Sequence, residues 1–298
     1  KNYFILARKM GAYMMRAPES FAWGVIEADE GIYNFQLFDT IMKYAGENGV
    51  KVLGTIMPLN DYALMCNNVN PSCDNLMNGG PMYFLNNDRT GAICSSDTIA
   101  YKNFVTALVE RYDGDGINDM PNLVDPITIY QFHNEPELSC AAIYSVSYVN
   151  ELRMTYETIK LACPSCQVMN GGCARAIDSD STYWNYVFTN GRNYMDIASI
   201  HVNRPRNESF DFTTFFSPQY QSIDNVKTLY NKNWNIWMTE WGLYRGSPIT
   251  NNPPNITEEI QAARYEKWYA YGLGTDMPVY FYDELGTSDT TNGIASSA

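Results

Sequence analysis

Apolar residues along the chain fall into two kinds of run that alternate from one end to the other. Short, β-branched runs predict strands with both faces buried, and longer runs at near-helical spacing predict amphipathic helices. The predicted strands are Ala12–Arg16, Lys51–Met57, Ile127–Phe132, Gln167–Asn170, Met195–His201, Asn235–Thr239 and Pro278–Tyr282. The predicted helices are Tyr3–Met10, Phe35–Asn48, Thr98–Tyr112, Tyr148–Ala162 and Thr257–Gly272. This alternation favours a parallel sheet with helices outside it.

The number and spacing of these strands predict one large α/β domain. Seven strands in 298 residues, without a linker or low-complexity break, favour a (β/α)8 TIM barrel over an open doubly wound sheet. We assign residues 1–298 to this single barrel. No glycine-rich phosphate loop follows a predicted strand, which argues against a nucleotide-binding fold. Because one strand is missing and no clear last helix follows, we expect the first strand to lie before Lys1 in a longer protein.

A long connection, residues 58–96, follows the predicted strand Lys51–Met57. Loops of this length without a clear pattern are usually functional or disordered. In a barrel, the loop after the C-terminal end of a strand lies over the catalytic face. We therefore interpret this connection as a wall of a substrate cleft, held by a disulfide among Cys66, Cys73 and Cys94.

Two of the predicted strands end in a glutamate. The strand Ile127–Phe132 runs into His133-Asn134-Glu135, and the strand Asn235–Thr239 runs into Glu240. The C-terminal ends of barrel strands form the active face, so both carboxyl groups are expected there. Retaining hydrolysis of a glycosidic bond requires such a pair, one carboxyl as acid and base and the other as nucleophile. An asparagine beside the acid is well placed to bind the sugar hydroxyl next to the anomeric carbon.

These motifs resemble those of the clan A retaining glycoside hydrolases, such as families 39, 5, 42 and 10. Asn134-Glu135-Pro136 matches the acid/base motif after the fourth barrel strand, and Thr239-Glu240-Trp241 matches the nucleophile motif after the seventh. The stretch from Trp23 to Asp39 matches a third signature, with Ala28 where the family usually has proline. The resemblance covers nearly the whole chain and implies a barrel that hydrolyses β-linked sugars.

The resemblance also implies roles for individual residues. Glu135 would be the general acid/base and Glu240 the nucleophile. Arg16 would orient the nucleophile and keep it ionised, although the residues alone also allow it to neutralise another buried carboxylate. His201 would lie in the substrate site, with a core or surface histidine as the alternative. Asn134 would bind the substrate.

Two aromatic residues, Trp241 and Tyr282, are candidate platforms for the sugar. The clan often has a tryptophan at the end of the eighth strand, where this chain has Phe281 and Tyr282. Trp241, like Trp23, fits either a sugar platform or packing within the barrel. The clan often carries a tyrosine two residues after the site histidine, and this chain has Asn203 there.

Charge and composition narrow the class of partner. The formal net charge of −13 and the pI of about 4.5 argue against nucleic acid and anionic membrane surfaces. No apolar run is long enough to predict a membrane span. We expect a secreted monomer that acts on a neutral carbohydrate and requires no cofactor.

Two rival classes stay open at this point. One is a carbohydrate-binding barrel that has lost catalysis. The other is a metal-dependent barrel hydrolase built on His133, Glu135, Glu137 and His201. The chain contains only two histidines, which makes the metal-dependent class the weaker one.

The chain contains seven cysteines, so at least one has no partner within it. For Cys163 and Cys166, a local disulfide is favoured over a redox motif or half of a zinc site. Cys140 and Cys173 follow neighbouring strands and form a second candidate pair.

One acidic turn resembles part of a Ca²⁺-binding loop. Asp113, Asp115 and Asp119 occupy the first, third and seventh places of such a loop. The sixth place is Asn118 rather than glycine, and the twelfth is Val124 rather than glutamate. A structural Ca²⁺ and a plain acidic turn are therefore both open.

Overall fold

The computed structural model describes residues 2–17, 20–60, 65–66, 92–93, 96–137, 144–173, 182–203 and 223–242, with positions 259, 262–263, 266–267, 270, 274 and 280–282. Two compact units divide the chain. The first unit is Lys1–Gly171 with Thr182–Asp196, and the second is Gly172–Ser181 with Ile197–Ala298. The assignment of the whole chain to one domain stays a prediction.

The first unit alternates strands and helices in the order that the hydrophobic pattern predicts. Its helices are α1 (Asn2–Lys9), α2 (Trp23–Ile26), α3 (Gln36–Glu47), α4 (Thr98–Tyr112), α5 (Ser145–Ala162) and α6 (Thr182–Asn190). Its strands are β1 (Met14–Arg16), β2 (Phe21–Ala22), β3 (Lys51–Met57), β4 (Met65–Cys66), β5 (Ala92–Ile93), β6 (Ile129–Phe132) and β7 (Gln167–Met169).

The main sheet of the first unit is parallel throughout. β1 pairs with β3 through Met14 and Lys51, β3 with β6 through Gly54 and Tyr130, and β6 with β7 through Tyr130 and Val168. β2 also pairs in parallel with β3. β6 is buried along its whole length, as expected for a strand covered on both faces. The C-terminal ends of β1, β3, β6 and β7 therefore lie at one edge of the sheet.

Aromatic rings join the helices of the first unit to this sheet. Phe21 of β2 stacks on Phe38 of α3 with their ring centroids 4.6 Å apart. Trp23 stacks on Phe104 of α4 at 6.0 Å. All four side chains are buried, so many of the aromatic residues serve the core, where large rings contribute most of the buried area.

The second unit contains β8 (Ile197–Asn203), β9 (Asn235–Gly242), β10 (Tyr280–Tyr282) and a helical stretch at 223–229. β8 and β9 run parallel from Ile197 opposite Asn235, with a register shift between Ile200 and His201. β10 adds to β9 in the same direction. Within the predicted helix Thr257–Gly272, only positions 259, 262–263, 266–267 and 270 are described, and each of these is helical.

The structure adds several short elements and one longer helix that the hydrophobic pattern does not predict. β2 and the antiparallel pair β4–β5 are two residues long, too short for a period to show. α2 is a single turn. α6 buries Trp184, Val187 and Phe188 at helical spacing, but its aromatic composition resembles that of a strand. Most of the long connection 58–96 lies outside the described residues, so its role as a cleft wall stays a prediction.

No helix in the described part of the chain is long and apolar enough to cross a membrane.

Candidate active site

The turn after β6 carries the predicted acid/base residue. His133 and Glu135 both adopt left-handed backbone conformations, with φ of 71° and 45°. Non-glycine residues rarely adopt this conformation, and it persists only where surrounding contacts enforce it. The His133 N–H donates to the carbonyl of Ile56 at 2.8 Å, and the Glu135 N–H donates to the carbonyl of Gly171 at 2.7 Å. Strained backbone of this kind concentrates at functional sites.

His133 supports the turn as a neutral side chain. Its ring is buried, and burial lowers its pKa from 6.5 to about 4. Nδ1 faces the backbone of Asn134, 2.9 Å from its nitrogen and 3.1 Å from its carbonyl oxygen. Sequence reasoning left its orientation open; the structure places it inside the core, beneath the turn.

Arg16 and Asn134, which are distant in the sequence, are brought together. The Arg16 Nη2 donates to Asn134 Oδ1 at 2.8 Å, from the C-terminal end of β1. Asparagine has one oxygen and one NH2 group, so this bond fixes the amide and directs its NH2 group elsewhere. The predicted contact of Arg16 with the nucleophile stays a prediction.

In the second unit, the predicted nucleophile lies beside the predicted site histidine. His201 and Glu240 are paired in the ladder between β8 and β9, directly after the register shift. The His201 Nδ1 lies 3.5 Å from Glu240 Oε2, and the His201 ring is fully buried. The Glu240 side chain is 14% exposed, so it remains accessible to a ligand.

A hydroxyl network holds the other side of the His201 ring. The His201 Nε2 lies 3.0 Å from Thr239 Oγ1, and the Ser199 hydroxyl forms a further hydrogen bond with Thr239. A Cβ on Gly172, whose φ is +75°, would fall 2.1 Å from His201 Nε2. Only glycine fits at that position, so backbone, hydroxyl and carboxylate together fix the ring. Sequence reasoning missed Ser199. The Gly171-Gly172 pair after β7 is a sequence signal that another part of the chain approaches the backbone closely there.

The candidate platforms are described by their backbones alone. Trp241 in β9 is paired with Tyr282 in β10, so the two residues are neighbours at the C-terminal ends of adjacent strands. Their roles as sugar platforms stay predictions. Asn203 is the last residue of β8.

The third signature has a structural role in the first unit. The buried carboxylate of Glu27 accepts hydrogen bonds from Trp23 Nε1 at 2.5 Å and from the Gly31 N–H at 2.7 Å. Asp39 accepts two hydrogen bonds from the guanidinium of Arg111, the shorter at 2.6 Å. Trp23 is completely buried, which decides its role in favour of packing.

The acidic turn does gather its three carboxylates. Oxygens of Asp113, Asp115 and Asp119 lie within 4.8 Å of one another. Asp119 accepts hydrogen bonds from the N–H groups of Gly114 and Gly116, at 2.9 and 2.7 Å. Burial, followed by the neighbouring acids, raises the pKa of Asp113. The backbone amides already stabilise the turn, and a structural Ca²⁺ stays a prediction.

One predicted disulfide is confirmed. Cys163 and Cys166 are bonded at the end of α5. Cys173 is buried, and its predicted partner Cys140 lies outside the described residues, so that pair stays a prediction. The predicted disulfide of the long connection also falls largely outside them.

Comparison with solved structures gives clear matches across almost the entire chain. A family 39 glycoside hydrolase from Bacteroides cellulosilyticus matches with a TM-score of 0.67 and 19% identity over 97% of this chain and 54% of its own. A glucosidase from Croceicoccus marinus matches with a TM-score of 0.65 and 14% identity over 94% of this chain and 54% of its own. The xylanase B of Clostridium stercorarium matches with a TM-score of 0.56 and 14% identity over 91% of this chain and 78% of its own.

These likenesses confirm the fold class, an α/β barrel of the (β/α)8 type. The chain spans 54% of the length of each of the first two structures. No family model and no curated protein matches the sequence.

Proposed function

We propose that this protein is a retaining β-glycosidase of the clan A type. The observation that carries the proposal is the same in both units: a glutamate with fixed neighbours lies at, or just beyond, the C-terminal end of a parallel strand. After β6, Glu135 follows an asparagine held by Arg16. In β9, Glu240 lies beside the buried ring of His201. In a (β/α)8 barrel, catalytic residues come from the C-terminal ends of several strands.

In the proposed double displacement, Glu240 attacks the anomeric carbon while Glu135 donates a proton to the departing glycosidic oxygen. A covalent glycosyl-enzyme intermediate forms. Glu135 then removes a proton from water, which attacks the same carbon and frees Glu240 with net retention. The atoms and charges balance without a cofactor, and none is proposed.

Asn134 and His201 are proposed to assist this pair. Because Arg16 occupies the Asn134 oxygen, the amide NH2 is available to donate to the hydroxyl next to the anomeric carbon. Such a bond strengthens in the transition state. His201 is proposed to orient Glu240 and to contact the sugar, while Trp241 and Tyr282 are proposed as its aromatic platform.

The proposed substrate is a neutral, β-linked oligo- or polysaccharide. The net charge of −13 disfavours polyanionic partners, so neither nucleic acid nor an anionic membrane is proposed. The solved structures that it resembles include a glucosidase and xylanases, which are names of those proteins and suggest the panel to test. We further propose a secreted monomer.

The test uses aryl β-glycosides of glucose, xylose and mannose with wild-type protein, Glu135→Ala and Glu240→Gly. Glu240→Gly should lose roughly 10²-fold or more in kcat/KM on every aryl glycoside, and Glu135→Ala should lose this much on phenyl glycosides, whose leaving group needs a proton. Azide should rescue Glu135→Ala to a β-glycosyl azide and Glu240→Gly to an α-glycosyl azide. Glu157→Ala, at an exposed glutamate outside the site, provides a control with the same chemical change as Glu135→Ala. Wild-type turnover in Glu240→Gly would overturn the proposal, and glycan binding without any turnover would indicate a carbohydrate-binding barrel.

A further inference from the structure

Tyr148, one turn into α5, contacts the turn that carries Glu135. Its side chain is completely buried. The ring stacks on Phe132 with centroids 5.4 Å apart and meets the His133 ring edge-on at 6.4 Å. The last residue of β6 and the first residue of the strained turn therefore both rest on this one side chain.

The hydroxyl of Tyr148 joins two pieces of backbone. It donates to the carbonyl of Phe132 at 3.2 Å and accepts from the N–H of Gly171 at 2.8 Å. The carbonyl of Gly171 in turn accepts the 2.7 Å hydrogen bond from the N–H of Glu135. Through this hydroxyl, the end of β6 is therefore hydrogen-bonded to Gly171, just after β7, and Gly171 is in turn hydrogen-bonded to the backbone of Glu135.

The backbone at Gly171 approaches the backbone at Phe132 and His133 so closely that no side chain fits at Gly171. A Cβ on Gly171 would lie 2.7 Å from the carbonyl oxygen of Phe132 and 3.0 Å from the carbonyl carbon of His133. His133 and Glu135 both hold left-handed conformations that cost free energy unless neighbouring contacts enforce them. The Tyr148 hydroxyl is hydrogen-bonded to both segments, to the carbonyl of Phe132 and to the N–H of Gly171.

We propose that Tyr148 is a positioning residue for the reaction, which holds Glu135 where it can transfer its proton. The inference rests on the proposed role of Glu135 as general acid/base. Tyr148 itself does not exchange a proton with the substrate; it acts through Phe132 and Gly171. Loss of its hydroxyl should therefore weaken the steps that need Glu135 and leave the others in place.

The test compares Tyr148→Phe with Tyr183→Phe. Tyr183 lies beside Tyr148 with ring centroids 6.2 Å apart, and its hydroxyl is buried without a hydrogen-bond partner in the described part of the chain. Both variants remove one buried hydroxyl from the same aromatic cluster. Only Tyr148→Phe removes a bond to the turn.

Two leaving groups separate positioning from general damage. Dinitrophenolate departs without protonation, whereas an alkyl alcohol requires the proton from Glu135. For alkyl β-glycosides, Tyr148→Phe should lose roughly 10- to 100-fold in kcat/KM, because small misplacements of a catalytic group cost up to this factor. For dinitrophenyl β-glycosides, kcat/KM should change by less than about threefold. This ratio reflects only formation of the glycosyl-enzyme, and with this leaving group that step needs no proton from Glu135. Tyr183→Phe should resemble wild type with both.

Each outcome either supports or overturns the positioning role of Tyr148. Equal losses on both leaving groups, or losses matched by Tyr183→Phe, would reduce Tyr148 to a packing residue and overturn the inference. Circular dichroism and urea unfolding show whether each variant is folded at the assay temperature. If Glu135→Ala keeps normal turnover of alkyl glycosides, the proposed function itself fails. If Glu135→Ala behaves as proposed and Tyr148→Phe does not, only the positioning role fails.

Discussion

Glu151 is a buried carboxyl whose ionisation should control how stability depends on pH. It lies in α5 with 3% of its surface exposed, and it accepts a 2.7 Å hydrogen bond from the Ile93 N–H. Its other oxygen, Oε2, is buried without a hydrogen-bond partner among the described residues. Burial raises the pKa of Glu151 from 4.5 to about 8, and the Ile93 amide opposes this shift. Between these values the folded protein keeps a proton that the unfolded chain releases.

The free energy of unfolding should therefore fall as pH rises from about 4.5 to about 8, because the folded state binds more protons in that window. Each pH unit lowers it by about 1.4 kcal/mol. From about pH 5 to about pH 7 the loss is about 2.7 kcal/mol. Below the window both states carry the proton, and the contribution is fully present. Glu151→Gln keeps an oxygen for Ile93 but cannot ionise, so it removes this slope.

Urea unfolding of wild type and Glu151→Gln at several pH values between about 4 and about 8 measures the difference. The two curves should converge at the acidic end, with the variant more stable by roughly 2–3 kcal/mol near pH 7. Glu157→Gln changes an exposed glutamate of the same helix and should follow wild type. Parallel curves for wild type and Glu151→Gln would refute the claim that the buried Glu151 keeps its proton in the folded protein.

Three further predictions concern His133 in the turn, Arg16 beside it, and the ion pair that joins α3 to α4. His133, with its pKa lowered to about 4, should add stability above about pH 6.5 that is lost as pH falls towards about 4, and His133→Asn should remove this slope in urea unfolding. Arg16→Met should free the amide of Asn134, so kcat on glycosides should fall roughly tenfold and the penalty for a 2-deoxy sugar should shrink; an unchanged penalty would contradict this. Asp39→Asn should weaken the ion pair with Arg111 and lower the free energy of unfolding by roughly 1–3 kcal/mol, without altering KM.

The parallel sheet was predictable because its strands are buried on both faces and read as unbroken apolar runs. The prediction of Lys51–Met57 matches β3 residue for residue. β2 was missed because two residues carry no period, and Thr182–Asn190 was missed because its aromatic residues fit a strand as well as a helix.

The site was predictable in its residue types but not in its bonds. Glu135 and Glu240 were found because each follows an apolar run that predicts a strand. The bond between Arg16 and Asn134 joins residues 118 positions apart, so it depends on how the strands pair. The left-handed turn at His133 leaves no composition signal either, since only surrounding contacts enforce it.

The third signature shows the limit of motif reading. Read as sequence, its tryptophan fits either a sugar platform or packing within the barrel. In the structure, Glu27 binds Trp23 and Asp39 binds Arg111, so this motif stabilises the first unit. A motif can accompany a fold because it holds the fold together.

Covalent labelling tests the central claim, that Glu240 is the nucleophile of a retaining glycosidase. Activated 2-deoxy-2-fluoro β-glycosides of glucose, xylose and mannose slow release of the glycosyl-enzyme more than its formation. Peptide mapping by mass spectrometry should locate one sugar on Glu240, with labelling lost in Glu240→Gln and blocked by substrate. A label on another carboxylate, or inactivation of Glu240→Gln at the wild-type rate, would contradict the account.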